Sequence, residues 1–206
     1  SDIDSADLLN AFRLSNYHVY SNLSWKERLG SRWYVSIGLS YSTNTDKIDN
    51  VLQNADKEPV QPVAEPYASK RFLVNAYNDL AQIKMVIEKK WAGLNAVRFG
   101  GEYLYFKDRN DFTNVYIHNG INKLNDHFKA GFAETDIYIT YGLALKAGSR
   151  IEHSSQLNKA NWAPRLSLAY KLGDNTQASL AYGIFYQKPE KEFYLRNYVF
   201  DDTVYT

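Results

Sequence analysis

Trp33-Tyr34-Val35-Ser36-Ile37-Gly38-Leu39-Ser40-Tyr41 is the stretch that decides the fold. Its odd positions, Trp33, Val35, Ile37, Leu39 and Tyr41, are apolar or aromatic, whereas Ser36, Gly38 and Ser40 on the even positions are small or polar. A period of two belongs to a β-strand, whose successive side chains point to opposite faces. The same alternation recurs along the chain. Tyr17, Val19, Ser21, Leu23 and Trp25 oppose His18, Tyr20, Asn22 and Ser24, and Val97, Phe99, Tyr103 and Tyr105 oppose Arg98, Gly100 and Glu102. Leu143, Leu145 and Ala147 oppose Lys146, Gly148 and Arg150; Trp162, Leu166, Leu168 and Tyr170 oppose Arg165, Ser167 and Lys171. Leu180, Tyr182, Ile184 and Tyr186 oppose Ser179, Ala181, Gly183 and Gln187. The expected fold is all-β, an antiparallel up-and-down meander of about eight long strands.

Composition says what such strands face. Of 206 residues, 15% are aromatic, 17 of them tyrosine, yet the mean hydropathy is only -0.48. Strands of a transmembrane β-barrel reconcile the two, because only alternate residues meet lipid. Three apolar faces begin and end on an aromatic residue eight positions apart: Tyr17 and Trp25, Trp33 and Tyr41, Trp162 and Tyr170. Eight residues rise roughly 26 Å, or about 20 Å of height after a tilt near 40°, close to the apolar band of an outer membrane. Rings at both ends of such a band suit the lipid–water boundaries, where an apolar body and a hydrated N–H or O–H are both satisfied. These six aromatics are therefore candidate membrane-interface residues. Aromatic preference for strands in general explains their presence but not their placement at the ends of apolar faces.

The connections fit the same plan of short turns alternating with longer outer loops. Short turns are expected around Glu27 to Ser31, Trp91 to Asn95, Thr140 to Gly142 and Leu172 to Asn175. Thr43 to Ser69, with Pro59, Pro62 and Pro66, Lys107 to Asp126 and His153 to Asn161 read as outer loops. Lys70 to Lys90 is longer than a membrane crossing requires, so its first half should project beyond the membrane and carry Asp79 clear of lipid.

Several function classes find no support. Lys plus Arg number 24 and Asp plus Glu 23, a net charge of +1 that offers nothing to a nucleic-acid backbone. There is no cysteine for a disulfide framework or a thiolate site. No apolar run is long enough for a spanning helix; the stretch around Ile83 to Ile87 is broken by Lys84. Asp2, Asp4 and Asp7 lack the glycine and distal glutamate of a calcium loop and read as solvated charges or a cap. His18, His118, His127 and His153 show no metal spacing, and no nucleophile or phosphate-loop motif occurs. No enzyme, metal or cofactor is expected. Lys84, Glu88, Arg98, Glu102, Glu134, Lys146, Arg150, Glu152 and Arg165, with Asp136, share the polar face and are candidate lumen-lining charges. Cross-strand ion ladders are their structural reading; contact with a passing ligand or plug is the functional one. Tyr67, Phe112 and Tyr116 stand as loop aromatics able to stack on sugars.

Phe132-Ala133-Glu134-Thr135-Asp136-Ile137-Tyr138, Ala147-Gly148-Ser149-Arg150-Ile151-Glu152-His153-Ser154, Ala163-Pro164-Arg165-Leu166-Ser167-Leu168-Ala169-Tyr170 and Ser179 through Pro189 follow one another in order. Together they resemble consecutive wall strands of a TonB-dependent receptor, over roughly a third of the chain. The resemblance implies a Gram-negative outer-membrane importer of a scarce nutrient, such as a siderophore, cobalamin, oligosaccharide or peptide. It also implies an N-terminal plug, TonB as energising partner and a barrel of about 22 strands. Residues 1–206 would then be one partial domain, a slice of barrel wall with plug and remaining strands elsewhere. Partners would be outer-membrane lipid, the nutrient and, through the parent, plug and TonB. The slice alone, with open edges, should self-associate, and a clean monomer by light scattering without detergent would oppose this. Two rivals remain: a complete small barrel of about eight strands acting as an adhesin or structural protein, and a soluble carbohydrate-binding β-sandwich.

Overall fold

A computed structural model describes residues 9–60, 67–114, 116, 120–189, 199–200 and 203–204. Asp2, Asp4, Asp7, Pro62, Pro66 and His118 lie outside the described residues. The alternating segments form eight strands: β1 (Leu9–Leu29), β2 (Trp33–Gln53), β3 (Phe72–Lys90), β4 (Ala96–Asn114), β5 (Gly120–Thr140), β6 (Leu143–Ser154), β7 (Lys159–Gly173) and β8 (Thr176–Gly183). They make one sheet in sequence order, so every neighbour is reached by a hairpin and β1 and β8 stand at its edges. A separate two-residue ladder joins β9 (Val199–Phe200) to β10 (Thr203–Val204).

The short connections fall where turn chemistry places them. Gly30 and Gly93 adopt φ +68° and +55°, conformations that favour residues without Cβ, in the turns after β1 and β3. At 140–143, the amides of Gly142 and Leu143 donate to Thr140 Oγ1 at 3.3 and 3.1 Å, closing the turn with a side chain. The outer connections differ from expectation. β2 runs on to Gln53, β4 to Asn114 and β5 starts at Gly120, so much of Thr43–Ser69 and Lys107–Asp126 is strand. His153 to Asn161 is a tight turn, with Ser154 and Lys159 already paired. Polar residues there were read as loop because composition marks solvent, whereas a strand wet on both faces is also polar and is fixed by ladder bonds rather than by composition. β8 departs in the other direction, ending at Gly183 instead of continuing to Tyr186.

The chain divides into two compact units. The first comprises Ser1–Tyr20, Ser42–Leu80 and Lys107–Asn125. There Leu52, Ala68 and Leu124 are buried, and the Phe72 and Phe112 rings stack 6.3 Å apart. Phe112 is therefore a packed strand residue and not a free loop aromatic. The Asn16 amide donates to Asn44 Oδ1 at 2.8 Å and to Asp46, giving adjacent strands a polar clasp. The second unit comprises Ser21–Tyr41, Ala81–Phe106 and Asp126–Thr206. Its register across β5–β8 fixes which side chains share a face. Ile137, Leu145, Leu168 and Leu180 form one row, and Thr135, Ala147, Leu166 and Tyr182 the next. Glu134, Gly148, Arg165 and Gly183 alternate with these rows and belong to the opposite face.

Candidate functional site: an ionic network on the polar face

Alternation puts Lys84 and Glu88 of β3, Arg98 and Glu102 of β4, Glu134 and Asp136 of β5, and Lys146, Arg150 and Glu152 of β6 on one face, and hairpin register brings them side by side. Arg98 on β4 is the hub. Its guanidinium donates to Glu88 at 2.6 Å on β3 and to Asp136 on β5, with Glu134 at 3.5 Å. Lys146 on β6, directly opposite Asp136 in register, lies 3.4 Å from Glu134 and 3.9 Å from Asp136. A second cluster centres on Arg150, which bridges Glu102 at 3.0 Å and Glu152 at 3.1 Å. Gln82 donates to Glu102 and Ser40 reaches Gln82 at 3.4 Å, carrying the network to β2. Seven of the nine charges proposed from sequence thus join these two clusters; Lys84 and Arg165 line the same face without a carboxylate partner among the described residues. The Arg98 and Arg150 pairs with Glu88, Glu134, Asp136, Glu102 and Glu152 are partly buried, so each is worth less than a fully desolvated pair and more than a surface one, whereas Lys146, Lys84 and Arg165 are exposed.

The opposite face is apolar and exposed. Tyr17, Trp25, Trp33, Tyr41, Trp162 and Tyr170 are all exposed, as are Leu166, Leu168, Leu180 and Tyr182. Two of these rings have polar partners. Trp162 Nε1 donates to Ser149 Oγ at 2.6 Å, and the Lys89 ammonium sits 4.8 Å from the Trp33 ring.

Sequence reasoning missed a third cluster. Asp126, only 5% exposed, accepts from Ser154 Oγ at 2.9 Å, from Ser155 Oγ and the Gln156 amide at 3.2 Å, and from Lys188. Burial pushes its pKa up, but the Lys188 ammonium and these donors outweigh that and hold it below the ordinary carboxylate range. Lys188 also lies 4.3 Å from the Phe128 ring centre. The segment after β8 is thereby tied back to β5. His127 is a strand residue whose Nδ1 pairs with the Tyr103 hydroxyl at 2.8 Å.

A strand meander whose exposed face is apolar and whose other face is a wet ionic network has the construction of a barrel wall. The family model described as TonB dependent receptor-like, beta-barrel, matches residues 2–190. The search of curated proteins found no match. The chain belongs to the TonB-dependent receptor-like β-barrel family, a family of outer-membrane receptors with a transport role.

Proposed function

We propose that this chain is part of the wall of an outer-membrane receptor that actively imports a scarce nutrient, energised by TonB. The observation that carries the reading is the separation of faces on one sheet. Apolar side chains as exposed as Leu180, at 75%, would be an aggregation surface in water and are ordinary against lipid. The charges of the other face then line the lumen. β1–β5 are 19 to 21 residues long, about twice the 9–11 a crossing needs, which leaves solvated extensions for the outer side. A sandwich would need a second sheet over the apolar face; the described residues form one eight-stranded sheet and one two-residue ladder. β1 and β8 each have one neighbour, so we read residues 1–206 as a partial barrel whose edges pair with further strands rather than as a closed small barrel.

The test is uptake by cells carrying the full-length receptor, with radiolabelled siderophore, cobalamin, oligosaccharide and peptide panels, in the presence and absence of TonB. Accumulation of one class that requires both receptor and TonB is the expected result. Uptake indifferent to TonB, or recovery of the protein in the soluble fraction, would overturn the proposal.

A further inference from the structure

Two arrangements compete for residues 184–188. Their alternation continues that of β8, with Ile184 and Tyr186 in line with Leu180 and Tyr182. The edge of β7 beside them, from Lys159 to Ala163, is paired only with β6 among the described residues. The ladder nevertheless stops. The Ile184 amide donates to the Pro164 carbonyl at 3.0 Å, but Pro164 has no N–H to return, so this pair keeps one of the two bonds it would otherwise make. The chain then crosses β7 and β6 on the polar face, because Lys188 reaches Asp126 of β5, on the same face as Phe128, Glu134 and Asp136.

The far end of the crossing is a built site for an ammonium group. Ser154 Oγ, Ser155 Oγ and the Gln156 amide all donate to Asp126 Oδ1, which leaves Oδ2 to Lys188, and the Phe128 ring centre lies 4.3 Å from the same ammonium. A carboxylate aimed by three donors beside an aromatic face holds a cation in one place. Ala163, on the face of β7 that is crossed, is only 2% exposed, as a covered strand end requires. The near end is looser: Phe185 is exposed, with the Arg165 guanidinium 4.9 Å from its ring.

We propose that Ile184–Lys188 is a two-position element. In one position it is a strap latched across the polar face by Lys188 in the Asp126 site. In the other it extends β8 along the edge of β7 and uncovers that face. Continuing the observed register pairs Tyr186 with Trp162 and Gln187 with Asn161, and carries Lys188 three strand spacings, roughly 14 Å, from β5. Latching gains an ion pair; extension gains ladder bonds and places Ile184 and Tyr186 in the apolar row. Each is worth a few hydrogen bonds, so neither position excludes the other. That the uncovered face is a lumen rests on the import reading; the two positions do not.

The test uses the full-length receptor in neutral detergent, with any cysteine outside residues 1–206 replaced by serine, since none occurs within them. Asn161→Cys and Gln187→Cys are introduced together. In the extended ladder they form a pair with Cα atoms about 4.5 Å apart, within disulfide reach. Oxidation by copper phenanthroline is read as loss of both polyethylene-glycol maleimide tags. It should be slow with the latch intact and at least about tenfold faster with Asp126→Asn or Lys188→Gln, the factor one charge-assisted hydrogen bond supplies. Lys188→Arg, which keeps the charge, should stay closer to the intact latch than to Lys188→Gln. Heat-modifiable gel mobility identifies the folded barrel in each case, and Lys188 lies outside the strands, so its replacement leaves the wall paired. Equal rates in all backgrounds, no disulfide in any, or Lys188→Arg as fast as Lys188→Gln would overturn the switch. Crosslinking needs neither cargo nor TonB, so its failure with intact TonB-dependent uptake removes the switch and leaves import standing. Latch-dependent crosslinking without such uptake does the reverse.

Discussion

The two faces of β5–β8 are built from the same four strands and differ at every step of the register. On one, Leu145, Leu168 and Leu180 line up with Ile137; one residue along, Asp136, Lys146 and Ser167 line up with Ala181. Neither face resembles a soluble protein's. The exposed one is apolar and the partly covered one is ionic, the inverse of a globular core. The difference teaches that what matters is the solvent each face meets, and that a mean hydropathy of -0.48 averages two opposite surfaces into an apparently ordinary one.

The comparison breaks first if a charge is tolerated equally on both faces. Leu168→Arg places a guanidinium among Leu145, Leu180 and their neighbours, and at mid-bilayer should cost about 2–4 kcal/mol. Ser167→Arg, one position away, reaches the wet face beside Lys146 and should cost under about 1 kcal/mol. Urea unfolding of the full-length receptor from lipid vesicles measures both. Equal costs would mean that the apolar face does not meet lipid.

A smaller effect is expected from within the polar face. Arg98→Ala leaves Glu88, Glu134 and Asp136 to repel one another with only Lys146 nearby. Breaking a fully buried pair costs about 3–5 kcal/mol; these side chains retain 22–28% exposure, so about 2 kcal/mol is expected. Replacing Glu88 with Gln in the same background should recover part of it. No loss on Arg98→Ala in the same urea assay would reduce the network to solvated charges.

Much of this was legible in the chain. Period two gave the strands and their faces, and glycine, asparagine and threonine gave the turns after β3, β5 and β7, because both signals are local. Loop lengths were not legible: the polar ends of β2, β4 and β5 are held by pairing with distant strands, as Asn16 is with Asn44. The residues of the network were legible as a set sharing a face, yet not who bonds whom. Arg98 and Asp136 are 38 positions apart, and their contact depends on register across a hairpin that composition does not specify. Asp126 and Lys188, 62 apart, gave no local sign at all. Nor did the crowding at Gly148, where a Cβ would stand 2.9 Å from the Glu134 Cβ.

Asp126 offers the finest test, since it lies five positions beyond Gly131, the register partner of the Ile151–Trp162 pair, and is held by the 154–159 turn. Its carboxyl pKa is lowered in the folded protein, so the ionised form stabilises the fold above the unfolded value of about 4. That contribution disappears as pH falls through the folded value, when the carboxylate gains a proton and the Lys188 pair is lost. Asp126→Asn should therefore be less stable than wild type at pH 7, with the gap closing below about pH 4, while the other carboxylates titrate alike in both proteins and cancel. Urea midpoints of the detergent-folded receptor at pH 7 and pH 3 measure it. A gap that persists unchanged at pH 3 would show that Asp126 acts through packing and neutral hydrogen bonds rather than charge. The tie between β5 and the segment after β8 would then be insensitive to acid, and as indifferent to ionisation as the apolar face.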